Sequence, residues 1–246
     1  MEVVICSDEQ QVGQVAANRV LQWVEGLATP VLGLATGSSP LALYNELARR
    51  VAAGEVDFSC GIGFALDEYV GIDPENPLSY RQTILRTVVE PLRMDPNRVR
   101  VPNGFTPDLA VAALEYDRAI AAAGGVDVQV LGIGSNGHIG FNEPTSSFAS
   151  RTRVKTLTEQ TRADNARFFD GDVNAVPTHC ITQGLATIME ARKLVLIATG
   201  EGKAEAIAQL VEGEVSPDWP ATVMQRHDDA LVLVDPAAAS RLTSKP

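Results

Sequence analysis

A chain of 246 residues can form one large α/β domain or two small ones, and an apolar content of 45% supplies a sizeable core. A formal net charge of −11 excludes a non-specific nucleic-acid binder, because such a protein needs a broad basic surface to displace counterions. No apolar run approaches the roughly 20 residues of a membrane span, and no secretory signal pattern precedes the first one. We therefore expect a cytoplasmic protein.

Six short segments rich in Val, Ile and Leu predict strands that are covered on both faces, as in a parallel sheet. In chain order they are Val3–Cys6, Val31–Ala35, Gly61–Leu66, Val128–Ile133, Leu194–Ala198 and Leu231–Val234. Longer stretches with helical spacing of apolar residues separate them. The sequence therefore predicts one α/β domain over residues 1–246, with a single doubly wound, mostly parallel, Rossmann-like sheet and helices on both faces.

Helix boundaries carry their own signals. Ser7 and Gln10 predict a capping box at the first helix, and Thr106 with Pro107 predicts the start of a helix that continues through Ile120. Glycines at the positions where two other helices should stop, Gly54 and Gly213, predict their ends.

The three cysteines, Cys6, Cys60 and Cys180, have spacings that suit neither zinc nor a disulfide framework, so we expect buried, reduced thiols.

The segment from Thr145 to Thr178 differs from the rest because it is polar and concentrates basic residues in an acidic protein. Its cations are Arg151, Arg153, Lys155, Arg162 and Arg167. A long connection of this kind in a compact domain is often a mobile cover over a site. The sequence predicts a helical lid here, and a solvated surface helix and loop is the alternative.

Two predicted strands end in turns with phosphate-binding chemistry. Thr36, Gly37, Ser38 and Ser39 follow the second strand, and residues 199–203 (TGEGK), ending in Lys203, follow the fifth. Small residues at a helix N-terminus offer backbone N–H donors and the positive end of the helix dipole to an anion. Neither turn matches the P-loop or dinucleotide pattern, so a monophosphate is predicted rather than a nucleotide. Taken singly, each turn could be no more than a helix cap.

Two other strand ends carry acid–base groups. The fourth strand continues into residues 131–144 (LGIGSNGHIGFNEP), which place Asn136, His138 and Glu143 on a glycine-rich turn. Asp67 follows the third strand beside Glu68, and burial or the neighbouring charge would raise its pKa toward the range useful for a base. The alternatives are a core histidine for His138 and a helix N-cap for Asp67. We expect no metal site, because His138 and Glu143 lack further clustered ligands.

At this point the chain resembles a known family. Residues 66–71 (LDEYVG), 132–144 (GIGSNGHIGFNEP), 150–157 (SRTRVKTL), 165–170 (NARFFD) and 173–177 (VNAVP) are similar to motifs of glucosamine-6-phosphate deaminases. The resemblance implies an enzyme, a hydrolase of amino-sugar catabolism, that converts glucosamine 6-phosphate and water to fructose 6-phosphate and ammonia without metal or organic cofactor.

By the same resemblance, Asp67 would move the proton between C2 and C1, and His138 would open the pyranose ring with help from Glu143 and Asn136. Lys203, Arg167 and the Thr36–Ser39 turn would hold the phosphate. The lid would span about residues 157–180. These roles agree with the chemistry inferred from the strand-end residues alone. An isomerisation with loss of an amine needs a ring-opening group, a base over C2 and a distant anion anchor.

Two departures from the family pattern matter. Many members carry Asp where this chain has Asn136, and an amide cannot supply a charge to stabilise an imidazolium, so we expect activity with a shifted pH profile. Some members also bind N-acetylglucosamine 6-phosphate between subunits of a hexamer. The counterparts of those contacts would be Ser146, Arg153, Lys155 and Thr156, but a C-terminal tyrosine of those members has no counterpart here. The resemblance therefore implies a homo-oligomer, a hexamer, and leaves open whether N-acetylglucosamine 6-phosphate acts as an effector.

Three rival functions remain open on the sequence. A 6-phosphogluconolactonase has a similar glycine and histidine loop, but lactone hydrolysis needs no C2 base, which counts against it. An enzyme acting on galactosamine 6-phosphate would use the same groups. A sugar-phosphate sensor without turnover would not need Asp67, His138 and Glu143 together.

Overall fold

The computed structural model describes residues 1–244. Its ten strands, in chain order, are β1 (Glu2–Ile5), β2 (Val31–Leu34), β3 (Ile62–Ala65), β4 (Asp67–Tyr69), β5 (Val99–Arg100), β6 (Val128–Leu131), β7 (Arg153–Thr156), β8 (His179–Thr182), β9 (Lys193–Ala198) and β10 (Ala230–Val234). Seven of them form a parallel sheet in the order β1-β10-β9-β6-β2-β3-β5. The predicted α/β class and mostly parallel sheet are confirmed, and each of the six predicted strands lies within two residues of an observed one.

A second, small sheet was not predicted. It is antiparallel, with the order β4-β8-β7, and it pairs Asp67 with Thr182 and Thr182 with Arg153. Its strands are three or four residues long, and β7 alternates between half-buried and exposed positions. Such short, polar strands give little periodic signal. Their pairing also depends on distant partners, since β4 and β8 are more than 100 residues apart in the chain.

Seven α-helices connect the strands: α1 (Glu9–Val24), α2 (Leu41–Ala52), α3 (Tyr80–Ile84), α4 (Leu109–Ala122), α5 (Glu159–Asn165), α6 (Leu185–Met189) and α7 (Ala204–Glu212). All side chains of the inner strands β2, β6 and β10 are buried, which is the burial that their continuous apolar runs predict. No helix within residues 1–244 is both long and apolar enough to cross a lipid bilayer.

Two predicted helix starts are wrong by one or two residues. Asp8, not Ser7, caps α1 by accepting a hydrogen bond from the N–H of Gln11, and Asp108, not Thr106, caps α4 through Val111. A carboxylate competes well for these N–H groups because its charge complements the helix dipole. Both predicted ends are confirmed, since α2 ends before Gly54 and α7 before Gly213.

The three cysteines are free thiols. Cys6 and Cys180 are buried as predicted, whereas Cys60 is exposed. Cys60 lies in the turn just before β3, where the apolar run has not yet entered the sheet. The prediction of a buried thiol is therefore wrong at this one position.

The predicted lid, residues 157–180, contains α5 and two short 3₁₀ turns, Ala166–Phe168 and Val173–Ala175, and it runs into β8. We call residues 157–180 the lid segment. Apolar side chains of this segment, Leu157, Ala166, Phe169 and Val176, pack with Tyr69 in a small cluster separate from the main core. The segment thus rests on β4, beside Asp67.

Candidate active site

The central strands end around one cavity of about 390 Å³. Strand order reverses between β2 and β6, because the chain proceeds outward through β3 and β5 on one side and through β9 and β10 on the other. Ligands of open parallel sheets bind beyond the carboxyl ends of the strands at such a reversal. The loops after β2, β3, β6 and β9 all contribute to the cavity wall, together with the lid segment.

The loop after β2 forms one end of the cavity. Thr36, Gly37, Ser38 and Ser39 all line it, directly before α2. Gly37 has a φ of +95°, a conformation that L side chains rarely adopt, so glycine is needed for this bend. The loop is anchored at its base, because the hydroxyl of Tyr44 both accepts from the N–H of Ala35 and donates to its carbonyl. The result is a preformed anion cradle at a helix N-terminus.

Two cations face the same end. Lys203 precedes α7 and is half-buried, and burial lowers its pKa, an effect that Asp164 opposes and Arg167 reinforces. Arg167 comes from the lid segment, where its guanidinium lies 4.7 Å from the ring centre of Phe168. An anion bound between the two cations would offset their mutual repulsion. Lys203 and Arg167 thus bring positive charge to a part of the cavity wall that Asp164 also lines.

Asp235 supports the Lys203 turn and was not predicted from the sequence. Its carboxylate accepts hydrogen bonds from the N–H groups of Gly200 and Ala238. Gly200 in turn adopts a φ of +86° at the bend that places Lys203. The only sequence signal was an aspartate just beyond a strand, which is common in loops.

Asp67, the first residue of β4, also lines the cavity. It is 5% exposed, and no residue within 1–244 donates a hydrogen bond to its carboxylate. Burial, together with the charge of Glu68, raises the pKa of Asp67 to about 8. A Cβ atom on Gly140 would lie 3.5 Å from its Oδ2, so the loop after β6 passes directly over this carboxylate. Asp67 is thus a carboxyl group on the cavity wall that can hold or release a proton near neutral pH.

The helix-cap role weighed for Asp67 belongs to its neighbour. Glu68 accepts hydrogen bonds from the N–H groups of Tyr80 and Arg81 at the start of α3, and from that of Tyr69. These bonds use both carboxylate oxygens of Glu68, which is 4% exposed. Glu68 therefore has a structural role and leaves Asp67 free to face the cavity.

His138 lines the cavity, while Asn136 and Glu143 lie behind it. The Nδ2 of Asn136 donates to Glu143 Oε2 at 2.8 Å, and its Oδ1 lies 2.7 Å from His138 Nδ1. Since a carboxylate can only accept, the amide is oriented with Oδ1 toward the ring, and Nδ1 must carry a proton. In the neutral ring, the lone pair is therefore on Nε2. His138 is prepared to accept a proton at that atom.

Glu143 is 3% exposed and yet ionised. Burial alone would raise its pKa, but contacts with His138, Thr161 and Asn136 outweigh burial and lower the pKa to about 2. Its Oε1 accepts from the hydroxyls of Thr161 at 2.5 Å and Thr158 at 3.3 Å. Both threonines belong to the lid segment and were missed in the sequence, because nothing in their spacing indicates contact with residue 143.

The structure brings the sequence-predicted residues together. Apart from Asn136 and Glu143, every predicted site residue lines the cavity itself, namely Thr36, Gly37, Ser38, Ser39, Asp67, His138, Arg167 and Lys203. His179 and His227 are not part of the cavity wall. His227 instead bonds the carbonyl of Ala191 and the N–H of Asp229.

Residues that could hold a metal are not clustered. Within the described chain, no three His, Cys, Asp or Glu side chains come together in a group able to hold an ion. The residues of the cavity wall supply a buried carboxyl group, an oriented imidazole and a small-residue turn at a helix N-terminus. Together they can bind a phosphorylated ligand at one end and move protons at the other.

Comparison with known proteins gives a consistent result. A family model described as glucosamine-6-phosphate isomerases/6-phosphogluconolactonase matches residues 7–233. Proteins named glucosamine-6-phosphate deaminase from Beutenbergia cavernae and Mycolicibacterium smegmatis are 58% and 54% identical over 242 residues, which is 98% of this chain and 93% of each relative.

Solved structures show the same fold. A structure described as a monomeric glucosamine-6-phosphate deaminase superimposes with a TM-score of 0.95 at 39% identity, covering 98% of this chain and 99% of that one. A 6-phosphogluconolactonase from Trypanosoma cruzi superimposes with a TM-score of 0.79 at 17% identity, covering 99% of this chain and 97% of its own. The second similarity is one of fold alone.

Proposed function

Because the chain belongs to the glucosamine-6-phosphate isomerase/6-phosphogluconolactonase family, we propose that it uses this cavity to convert glucosamine 6-phosphate and water to fructose 6-phosphate and ammonia. The relatives that are more than half identical to the chain over nearly its whole length carry the deaminase name. The solved structures that share the fold and are described as 6-phosphogluconolactonases are only 15% to 18% identical to this chain. Lactonase activity is therefore not favoured.

The observation that carries the proposal is the buried carboxyl group of Asp67 on the cavity wall, beside the oriented imidazole of His138. In the open-chain aldose, we assign Asp67 to remove the hydrogen at C2 and return it to C1. The electrons of the C2–H bond form the C1=C2 bond of an enolamine as the aldehyde oxygen takes a proton from the substrate ammonium, and protonation of C1 by Asp67 then leaves a C=N bond at C2. Water adds to that imine, and ammonia leaves as the ketone of fructose 6-phosphate forms. A raised pKa suits Asp67 to both taking and returning a proton near neutral pH.

We assign ring opening to His138. Its Nε2 takes the proton of the anomeric hydroxyl, the C1–O5 bond breaks as the aldehyde forms, and the same imidazole returns the proton to O5. Asn136 holds the ring through Nδ1, and the carboxylate of Glu143 lies behind it, 3.6 Å from Nδ1. The imidazole and the base thus face different carbons of one hexose.

The phosphate would lie at the other end, between the Thr36–Ser39 turn, Lys203 and Arg167. Anchoring the distant phosphate fixes C1 and C2 against the two proton-transfer groups, and such positioning accounts for a large part of a barrier reduction. Because Arg167 belongs to the lid segment, substrate binding would also hold residues 157–180 over the cavity. We propose that the lid segment and the rest of the chain, residues 1–246, form a single domain. Lys245 and Pro246 of that domain lie outside the described residues.

The test is ammonia release from glucosamine 6-phosphate, with galactosamine 6-phosphate and 6-phosphogluconolactone assayed in parallel. We expect ammonia from the first sugar and no lactone hydrolysis. Asp67→Asn should lower turnover at least about 100-fold while fructose 6-phosphate still binds. Asp218→Asn, an exposed change of equal charge, is the control. Ammonia production by Asp67→Asn at the normal rate would remove Asp67 from the reaction.

Assembly and regulation belong to the same proposal. The candidate effector contacts Ser146, Arg153, Lys155 and Thr156 lie outside the cavity wall, and the Arg153 guanidinium already donates to Asn142. The relative with the TM-score of 0.95 is described as monomeric, so the predicted hexamer stays a prediction. Light scattering with and without N-acetylglucosamine 6-phosphate tests both points, as does its effect on ammonia release. A cytoplasmic location likewise stays a prediction.

A further inference from the structure

The carboxylate behind His138 is held from two sides. On one side Asn136 donates to Glu143 Oε2, and on the other the hydroxyls of Thr161 and Thr158 reach Glu143 Oε1. We propose that Thr161 is a positioning residue through which the lid segment controls the ring-opening imidazole. The inference rests on the proposed function, because it assigns a role within the same reaction.

A count of protons shows why Thr161 is the stronger of the two contacts. The Oγ1 of Thr158 accepts from the N–H of Thr161 as the cap of α5, and its single proton is divided between Thr161 Oγ1 at 3.0 Å and Glu143 at 3.3 Å. Thr161 Oγ1 lies 2.5 Å from Glu143, which is the acceptor left for its proton. A bond to an ionised acceptor is about twice as strong as a neutral one.

The same short segment also carries the cavity contacts of the lid. Thr161 itself, Asn165 and Arg167 all line the cavity. Asn165 further donates to the hydroxyl of Tyr69 on β4 at 3.0 Å. A ligand that holds Arg167 therefore also holds Thr161 against Glu143, since only five residues, in compact helical turns, separate them. When the segment leaves, the buried carboxylate loses its Oε1 donors and its orientation toward Asn136 and His138.

The experiment separates the hydroxyl from the shape of the side chain. Thr161→Val keeps the branched shape and removes the hydroxyl, whereas Thr161→Ser keeps the hydroxyl. Thr178→Val is the matched control, because Thr178 is exposed on the same lid segment and its hydroxyl faces His179. We expect Thr161→Val to lower kcat about tenfold with little change in KM, and we expect Thr161→Ser and Thr178→Val to behave as wild type.

Ring opening is then measured directly. In an Asp67→Asn background the C2 proton stays in place, so exchange between the α and β anomers of glucosamine 6-phosphate, followed by exchange NMR, reports the imidazole step alone. Thr161→Val should slow this exchange about tenfold and Thr161→Ser should restore it. Equal exchange rates for Thr161→Val and Thr178→Val would overturn the proposal.

A folding defect of Thr161→Val, and a failure of the proposed function, would each give a different outcome from the expected slowing of anomer exchange. If Thr161→Val does not fold, Thr161→Ala removes the same hydroxyl with less apolar bulk, and wild-type exchange in Thr161→Ala overturns the proposal. A loss that Thr161→Ser does not restore assigns Thr161 a packing role and also overturns it. Failure of the proposed function would instead appear in the wild-type protein, as sugar binding without any ammonia.

Discussion

The Oδ1 of Asn136 lies 2.7 Å from the Nδ1 of His138, and this one contact sets which ring nitrogen faces the cavity. The amide itself is oriented by its donation to Glu143 at 2.8 Å. A neutral group thus occupies the position between an imidazole and a carboxylate. The charge behind the ring is supplied by Glu143 alone, 3.6 Å from Nδ1.

Asn136→Asp should keep the protein active and move its pH optimum upward. The new carboxylate would lie against both Nδ1 of His138 and Oε2 of Glu143. Two adjacent carboxylates favour the charged imidazolium, so the neutral ring that accepts a proton becomes available only at higher pH. The measurement is kcat/KM for ammonia release as a function of pH. An unchanged profile would show that Asn136 does not influence the proton on His138.

Gly134→Ala should lower activity about 100-fold, because a Cβ atom there would lie 2.2 to 2.6 Å from three ring atoms of His138. Gly202→Ala is the control, since a Cβ atom there would have no neighbour within 4 Å and Gly202 does not line the cavity. Steady-state kinetics of the pair, with thermal unfolding to verify folding, make the comparison. Equal activity in both variants would contradict the placement of the imidazole over Gly134.

Lys203→Ala should raise KM about 30-fold and leave kcat within a few-fold. A charge-assisted bond to phosphate is worth about 2 kcal/mol, and the remaining contacts of the Thr36–Ser39 turn still place the sugar. Lys193→Ala is the matched control, because Lys193 pairs with Asp229 and does not line the cavity. An unchanged KM for Lys203→Ala would remove Lys203 from the phosphate site.

Asp67→Asn should stabilise the protein at alkaline pH. The folded pKa of Asp67 is about 8, against about 3.9 in an unfolded chain, so the folded state binds more protons between these values. Stability contributed by the protonated carboxyl is present below about pH 4 and is lost as the pH rises through about 8. The amide variant should therefore gain most in Tm at about pH 9 and change least at about pH 4.

The exposed Asp218→Asn variant controls for the change in net charge. It should show no pH-dependent gain, because an exposed carboxylate is solvated in both states. A pH-independent Tm difference between wild type and Asp67→Asn would contradict the buried, raised titration of Asp67. Loss of activity together with a gain in stability is typical of a site residue that is strained by its own environment.

Much of the sheet could be predicted from the sequence, because continuous runs of Val, Ile and Leu fit strands buried on both faces. The small antiparallel sheet could not, since β4 contributes Asp67 and Glu68, residues that disfavour strands, and is held by pairing with β8. Likewise the caps at Asp8 and Asp108 were displaced from the predicted ones, because several neighbouring polar residues compete for the same N–H groups.

The sequence by itself determined the chemical inventory: an aspartate, a histidine with its amide and carboxylate, and small-residue turns, each directly after an apolar strand. Parallel strands bring their carboxyl ends to one edge, so the inventory implied one site. Tertiary structure alone decided how these groups are tuned. Burial of Asp67 and contact of Thr161 with Glu143 depend on packing between segments distant in the chain. Local sequence patterns do not encode such distances, because the lid segment and Glu143 are brought together by tertiary packing rather than by their spacing in the chain.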